Sequence, residues 1–287
     1  MRNSHSRPGR IRRHLATTIL TGGFLAVSAV VLSAHDFWIV PTAFEVATDG
    51  ALEVHGQTST AFPTSLSAVA PDRVAEARLI GAATEERITD LSVSGKSLHL
   101  RHRPTTAGQR VVAVGLVTRT SRAAAAGLKR YIALEGAPEL AERYEREGIL
   151  PKTDSVTQRT TKYAKTIVEV GRGGPRAFER TAGHPLELVP VTDPAALRAG
   201  DTLAVRLLFR GQPLAGAHLH AGVAPAEGDT AKGKDLSIVT GGDGVARVPV
   251  ARPGLWNVRT LHAAPAEGAA DTWDVLFATI VFRAADR

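Results

Sequence analysis

Histidine is the residue type in this chain with the most chemistry to offer, and its placement is uneven. Of the ten histidines, His5 and His14 lie in a basic N-terminal leader, and the other eight follow it. His35 comes directly after Ala34, where the leader ends. Cleavage there would leave His35 with a free α-amino group beside its own imidazole. Such a pair chelates a metal ion and suits Cu(II) or Ni(II) in tetragonal N,O geometry. An α-amino group titrates at about 7.7–8, so giving up its proton to a metal at neutral pH costs little. One residue cannot form a selective site, so further donors are needed. His55 and His262, each near the end of an expected strand, are the imidazoles chosen, with Asp36 as an oxygen ligand.

The remaining histidines read differently. His218 and His220 are two apart on an expected strand and share one face. That spacing allows a metal pair but more often marks a solvent-facing polar pair. His99 and His102 are three apart, face opposite ways and read as structural.

What presents His35 is the leader. Arg2, Arg7, Arg10, Arg12 and Arg13 precede an uncharged stretch from Leu15 to Ala34 that ends in small residues. This is the layout of a secretory signal peptide over 1–34. Cleavage after Ala29 is the alternative cut, and an uncleaved N-terminal anchor the alternative fate, since about 20 apolar residues span a bilayer. Either way, residues 35–287 are expected outside the cytoplasm, periplasmic or secreted, and not membrane-embedded.

Composition narrows the function classes. Removing the five leader arginines from the net charge of +7 leaves +2, which gives no basic surface for nucleic acid. There is no cysteine, so thiolate catalysis, zinc–thiolate sites and disulfides are excluded together. With 27 Gly and 16 Pro the chain is rich in turns, as sandwiches are. No His-Glu-x-x-His, phosphate-loop, G-x-S-x-G or dinucleotide motif is present, and no enzyme is expected.

The elements around these residues read as short alternating strands. Expected strands include 51–55, 77–80, 97–101, 161–170, 186–189, 202–209, 217–223, 237–240, 246–250, 256–261 and 273–282. The fuller apolar run 110–117 reads as a buried strand. Residues 121–150 break the rhythm as a solvated helical insert. Leu128, Tyr131 and Ile132 fall on one helical face, and a second helix starts at Pro138 and stops at Gly148. Trp38, Trp256 and Trp273 suit sheet cores. The expected class is all-β: a β-sandwich over 35–185 carrying the insert, then an immunoglobulin- or transthyretin-like β-sandwich over 186–287.

Several short pieces, in order, carry a family resemblance. They are Ala34-His35-Asp36-Phe37-Trp38-Ile39-Val40-Pro41, His55-Gly56-Gln57, Phe62-Pro63 and Lys162-Tyr163-Ala164-Lys165. Further on come Pro185-Leu186-Glu187-Leu188-Val189-Pro190, Gly200-Asp201-Thr202-Leu203, Arg210-Gly211-Gln212-Pro213, Asp243-Gly244 and Pro253-Gly254-Leu255-Trp256. With these the chain resembles an exported bacterial family labelled NikM-like, after a proposed role in nickel or cobalt uptake. The resemblance implies a periplasmic all-β protein whose second half is similar to carboxypeptidase-regulatory sandwiches. Fold analogy alone does not establish function.

Taken together, these readings lead us to expect an exported protein that binds a transition-metal ion (Cu, Ni or Co) for uptake or handling. Its partner would be a membrane transporter or outer-membrane receptor. The rival expectation is a non-catalytic module that docks such an envelope partner.

Overall fold

The computed structural model describes residues 36–134, 137–226 and 235–287. The leader 1–34 and His35 lie outside the described residues, as do the expectations that rest on them. From the N-terminal side the strands are β1 (Asp36–Pro41), β2 (Glu45–Val46), β3 (Leu52–Ser59), β4 (Val74–Ile80), β5 (Glu85–Arg87) and β6 (Asp90–Ser94). Next come β7 (Ser97–His102), β8 (Gly108–Leu116), β9 (Arg119–Ala124), α1 (Ala126–Leu134), α2 (Pro138–Arg146) and β10 (Ser155–Val170). The C-terminal part adds β11 (Leu186–Pro190), β12 (Thr202–Phe209), β13 (Gln212–Pro213), β14 (His218–Val223) and β15 (Leu236–Val239). It ends with β16 (Val245–Pro249), β17 (Gly254–Pro265) and β18 (Thr272–Ala284).

The protein is all-β apart from the two helices, with sheets packed as sandwiches. A ten-stranded central sheet runs β15-β14-β17-β18-β10-β8-β4-β5, with β2 and β9 also paired to β10. A four-stranded sheet, β1-β3-β7-β6, covers part of one face, and another, formed by β11, β12, β13 and β16, covers the opposite face. Strands from both sides of residue 185 meet in the central sheet, because β10 and β18 pair in parallel from Thr157↔Thr272 to Thr166↔Val281.

The alternation of side chains across a strand explains how one sheet serves two cores. β8 is buried along its whole length, as its continuous apolar run requires. Its Val111 and Ala113 enter the core shared with β11, β12 and β16, while Val112 and Val114 enter the core under β1, β3 and β7. β18 divides likewise. Leu276, Ala278, Ile280 and Phe282 face one way, and Trp273, Val275 and Phe277 face the helices.

The helical insert is shorter and less solvated than the sequence predicts. Residues 119–124 form β9, paired to β10, and helix begins only at Ala126. Pro138 opens α2, and Gly148, with φ +66°, lies just past its end. Leu128 and Ile132 of α1 and Ala141 and Tyr144 of α2 are buried against Trp273, Val275 and Phe277. The Tyr144 hydroxyl donates to the Ala263 carbonyl at 2.5 Å. Burial of an apolar face, more than helix propensity, holds such short helices in place. Among the described residues no helix is long and apolar enough to cross a membrane.

Candidate metal site on the four-stranded sheet

β3 and β7 are antiparallel neighbours, and their alternation sorts side chains cleanly. Leu52 and Val54 of β3 and Leu98 and Leu100 of β7 point into the core with Phe37 and Ile39 of β1. Glu53, His55 and Gln57 of β3, with His99 and Arg101 of β7, therefore share the other face. The register places His55 opposite His99 and Glu53 opposite Arg101. Gly56 lets Phe37 and Leu98 pack closely on the core face beneath this pairing. A side chain there would meet Phe37 Cε2 at 3.1 Å and Leu98 Cδ2 at 3.2 Å.

Three donors converge on this face. Within Glu53, His55 and His99, one potential ligand atom from each lies within 4.8 Å of the others, the one such trio among the described residues. Glu53 Oε1 is 2.7 Å from His99 Nδ1 and 3.4 Å from His55 Nε2. The two imidazole centroids are 4.3 Å apart. Ligand atoms bound at about 2.0–2.1 Å to one ion sit roughly 3–3.5 Å from each other, so these spacings already approach a coordination shell. Two imidazoles and one carboxylate suit copper, nickel, cobalt or zinc and leave positions open for water or another ligand.

The electrostatics favour a cation. The hydrogen bond from His99 is the largest influence holding the Glu53 carboxyl below the usual carboxylate range. Burial opposes it, and His55 and Arg101 add to the lowering. All three side chains remain partly exposed, Glu53 at 31 %, His55 at 30 % and His99 at 14 %, so an ion can reach them from solvent. Beyond His55, Gln57 accepts a hydrogen bond from Trp38 Nε1 at 3.0 Å, and Phe62 packs edge-on to Trp38 at 5.3 Å. His55-Gly56-Gln57, Trp38 and Phe62-Pro63, separate pieces in the sequence, thus meet on one face.

The structure regroups the residues expected to bind metal. His55 lies in the cluster with Glu53 and His99, whereas Asp36 and His262 lie elsewhere. Asp36 pairs with Ser59, four positions along β1 from Val40, which pairs with His55. That is a separation of about 13 Å along the strand. Asp36 instead lies 3.3 Å from Arg259 Nη1, and burial pushes its carboxyl up against the pull of Arg259 and Lys162.

His262 belongs to the central sheet, opposite Leu276, and its ring packs 4.6 Å from that of Phe209. It borders a cavity of about 210 Å3 with Arg143, Arg146 and His218. Burial, reinforced by Arg143 and Arg210, pushes its pKa down to about 4. Its position next to the expected strand end concealed that β17 continues to Pro265, which carries His262 inside the sheet.

His99, read as structural, is the third donor of this cluster and was not among the residues expected there. His99 and His102 do face opposite ways, but His99 faces Glu53 and His55. A signal existed in the spacing. Glu53 with His55, and His99 with Arg101, are i, i+2 pairs, each on one face of its strand. Only the β3–β7 register brings the two pairs together. Other histidines meet single carboxylates: His102 with Glu86 at 2.9 Å, His184 with Glu76 at 3.0 Å and His218 with Glu139 at 3.5 Å. His220 shares its strand face with His218 and stands opposite Arg259.

Comparison with solved structures finds low similarity to several proteins. The D0-D1 domain of intimin is 11% identical, covering 87% of this chain and 98% of that one, with a TM-score of 0.20. An alpha-2-macroglobulin from Escherichia coli is 9% identical with a TM-score of 0.23, and this chain spans 15% of its length. The adhesin InvE of Yersinia pseudotuberculosis is 12% identical over 86% of this chain and 58% of that one, with a TM-score of 0.20. No curated protein sequence matches. A family model does match, over residues 32–264, a span that contains the whole candidate site. The chain belongs to the family described as Domain of unknown function (DUF4198).

Proposed function

We propose that this protein is an exported, non-catalytic binding protein that holds a copper, nickel or cobalt ion through Glu53, His55 and His99. The observation that carries this reading is the convergence of one carboxylate and two imidazoles within 4.8 Å on a solvent-reachable sheet face. The basic, apolar leader over 1–34 supports export. Uptake or handling of the ion across the envelope would then require delivery to a membrane transporter or outer-membrane receptor.

Calorimetric titration of Cu(II), Ni(II) and Co(II) into the processed protein tests this reading. His55→Ala and His99→Ala should each weaken binding by about tenfold or more, since loss of one ligand costs at least a bond's worth of affinity. His262→Ala should not change it. His35→Ala and a Met placed before His35 separate any N-terminal chelate from this site, since the first removes the imidazole and the second displaces the amine. Equal affinity in the wild type, His55→Ala and His99→Ala would overturn the assignment.

A further inference from the structure

We propose that Arg101 is a resident cation of this site, one that must swing away before a metal enters and so sets the site's affinity. The inference rests on the reading of Glu53, His55 and His99 as ligands. Arg101 Nη2 lies 3.2 Å from Glu53 Oε1, the same oxygen that meets both histidines, and 3.4 Å from His99 Nδ1. The guanidinium therefore places its charge beside the carboxylate oxygen and the imidazole nitrogen that would hold a metal ion. A divalent ion bound to Glu53 Oε1 and a His99 nitrogen would lie at close range against the positive charge of this guanidinium. A guanidinium does not shed its charge to make room. It has to move.

The surroundings provide for that movement. The Arg101 side chain is 43% exposed, so its bond to Glu53 is of the weak, solvent-screened kind and is readily exchanged. Arg101 Nη1 already donates to Ser92 Oγ on β6 at 3.1 Å. Directly opposite Arg101 on β6 stands Asp90, a second carboxylate on the side away from His55. Arg101 thus has two acidic neighbours on adjacent strands, Glu53 when the site is empty and Asp90 when Glu53 binds the ion. The exchange leaves the guanidinium beside a carboxylate in both states.

Titration of Ni(II) and Cu(II) into the wild type, Arg101→Met, Arg101→Gln and Asp90→Asn tests the exchange. Removing the guanidinium should tighten binding by about tenfold, the size expected for relieving one like charge near a divalent ion in a well-solvated setting. Asp90→Asn should weaken binding severalfold in the wild type and have no effect in the Arg101→Met background, because the two act as one unit. Unchanged circular dichroism confirms that the variants are folded. If the wild type binds in a His99-dependent way and neither Arg101 variant binds more tightly, the proposal falls and the ligand assignment stands. If neither the wild type nor Arg101→Met binds, both fall.

Discussion

His55 and His99 stand directly opposite each other on adjacent antiparallel strands, with ring centroids 4.3 Å apart and Glu53 Oε1 within reach of both. Protonating both rings would place two positive charges face to face beside Arg101. Binding a metal instead requires a bare nitrogen on each ring. Protons and metal therefore compete for the same atoms, while Glu53, held below its usual range, stays ionised further into acid.

The first prediction follows from that competition. Imidazoles take up protons between about pH 5 and 8, so Ni(II) affinity should fall by roughly tenfold or more between pH 7.5 and 5.5. In His99→Ala the fall should be shallower, because one competing proton is gone. Calorimetry at three pH values measures both slopes. An affinity independent of pH would exclude imidazole ligation.

His262 makes a separate prediction about stability. Its folded pKa lies at about 4 against an ordinary 6.5, so the unfolded chain binds the proton more readily than the folded one. Stability is therefore full above pH 6.5, falls as pH drops from 6.5 towards 4, and loses no more from this group below that. The shift corresponds to about 3 kcal/mol at most. Urea denaturation across this range should show the decline in the wild type, and His262→Leu should flatten it. An equal decline in the variant would place the acid sensitivity elsewhere.

Lys165 and Glu187 make the third. Their charged atoms are 2.7 Å apart, both side chains are 2% exposed, and Glu187 also accepts the backbone N–H groups of Ala182 and Gly183. Burial pushes the lysine down and Glu187 pulls it back up. Lys165→Met should cost about 3–5 kcal/mol, because it leaves a buried carboxylate without its counter-charge. Adding Glu187→Gln should recover part of that loss, since the amide keeps an acceptor for the backbone without a charge. Denaturant midpoints of the single and double variants decide it, and strict additivity would show that the pair is not coupled.

Much of the fold was legible because it is locally encoded. Period-two alternation marked most of the strands, and the unbroken apolar run at 110–117 marked β8, buried on both faces. Pro138 and Gly148 bounded α2, since a fixed φ and a left-handed glycine are properties of single residues. Leu128 and Ile132, one helical turn apart, marked the buried face of α1.

What the tertiary structure alone decided is which strands are neighbours and in what register. β1 was read as a chain start and is a paired strand, because its partner β3 lies beyond a turn and lends no local signal. The pairing of β10 with β18, which joins both halves of the chain in one sheet, is equally silent in the sequence. The same limit governs the site. Local spacing placed Glu53 with His55 and His99 with Arg101 on their own strands, whereas His35, His55 and His262 were grouped by the end of the leader and by positions near expected strand ends, which do not say which strands are neighbours. Sliding β7 by one residue against β3 would turn His99 into the core and Leu98 or Leu100 outward. The burial of those leucines with Phe37 and Ile39 sets the register, and the register brings His99 to Glu53 and His55.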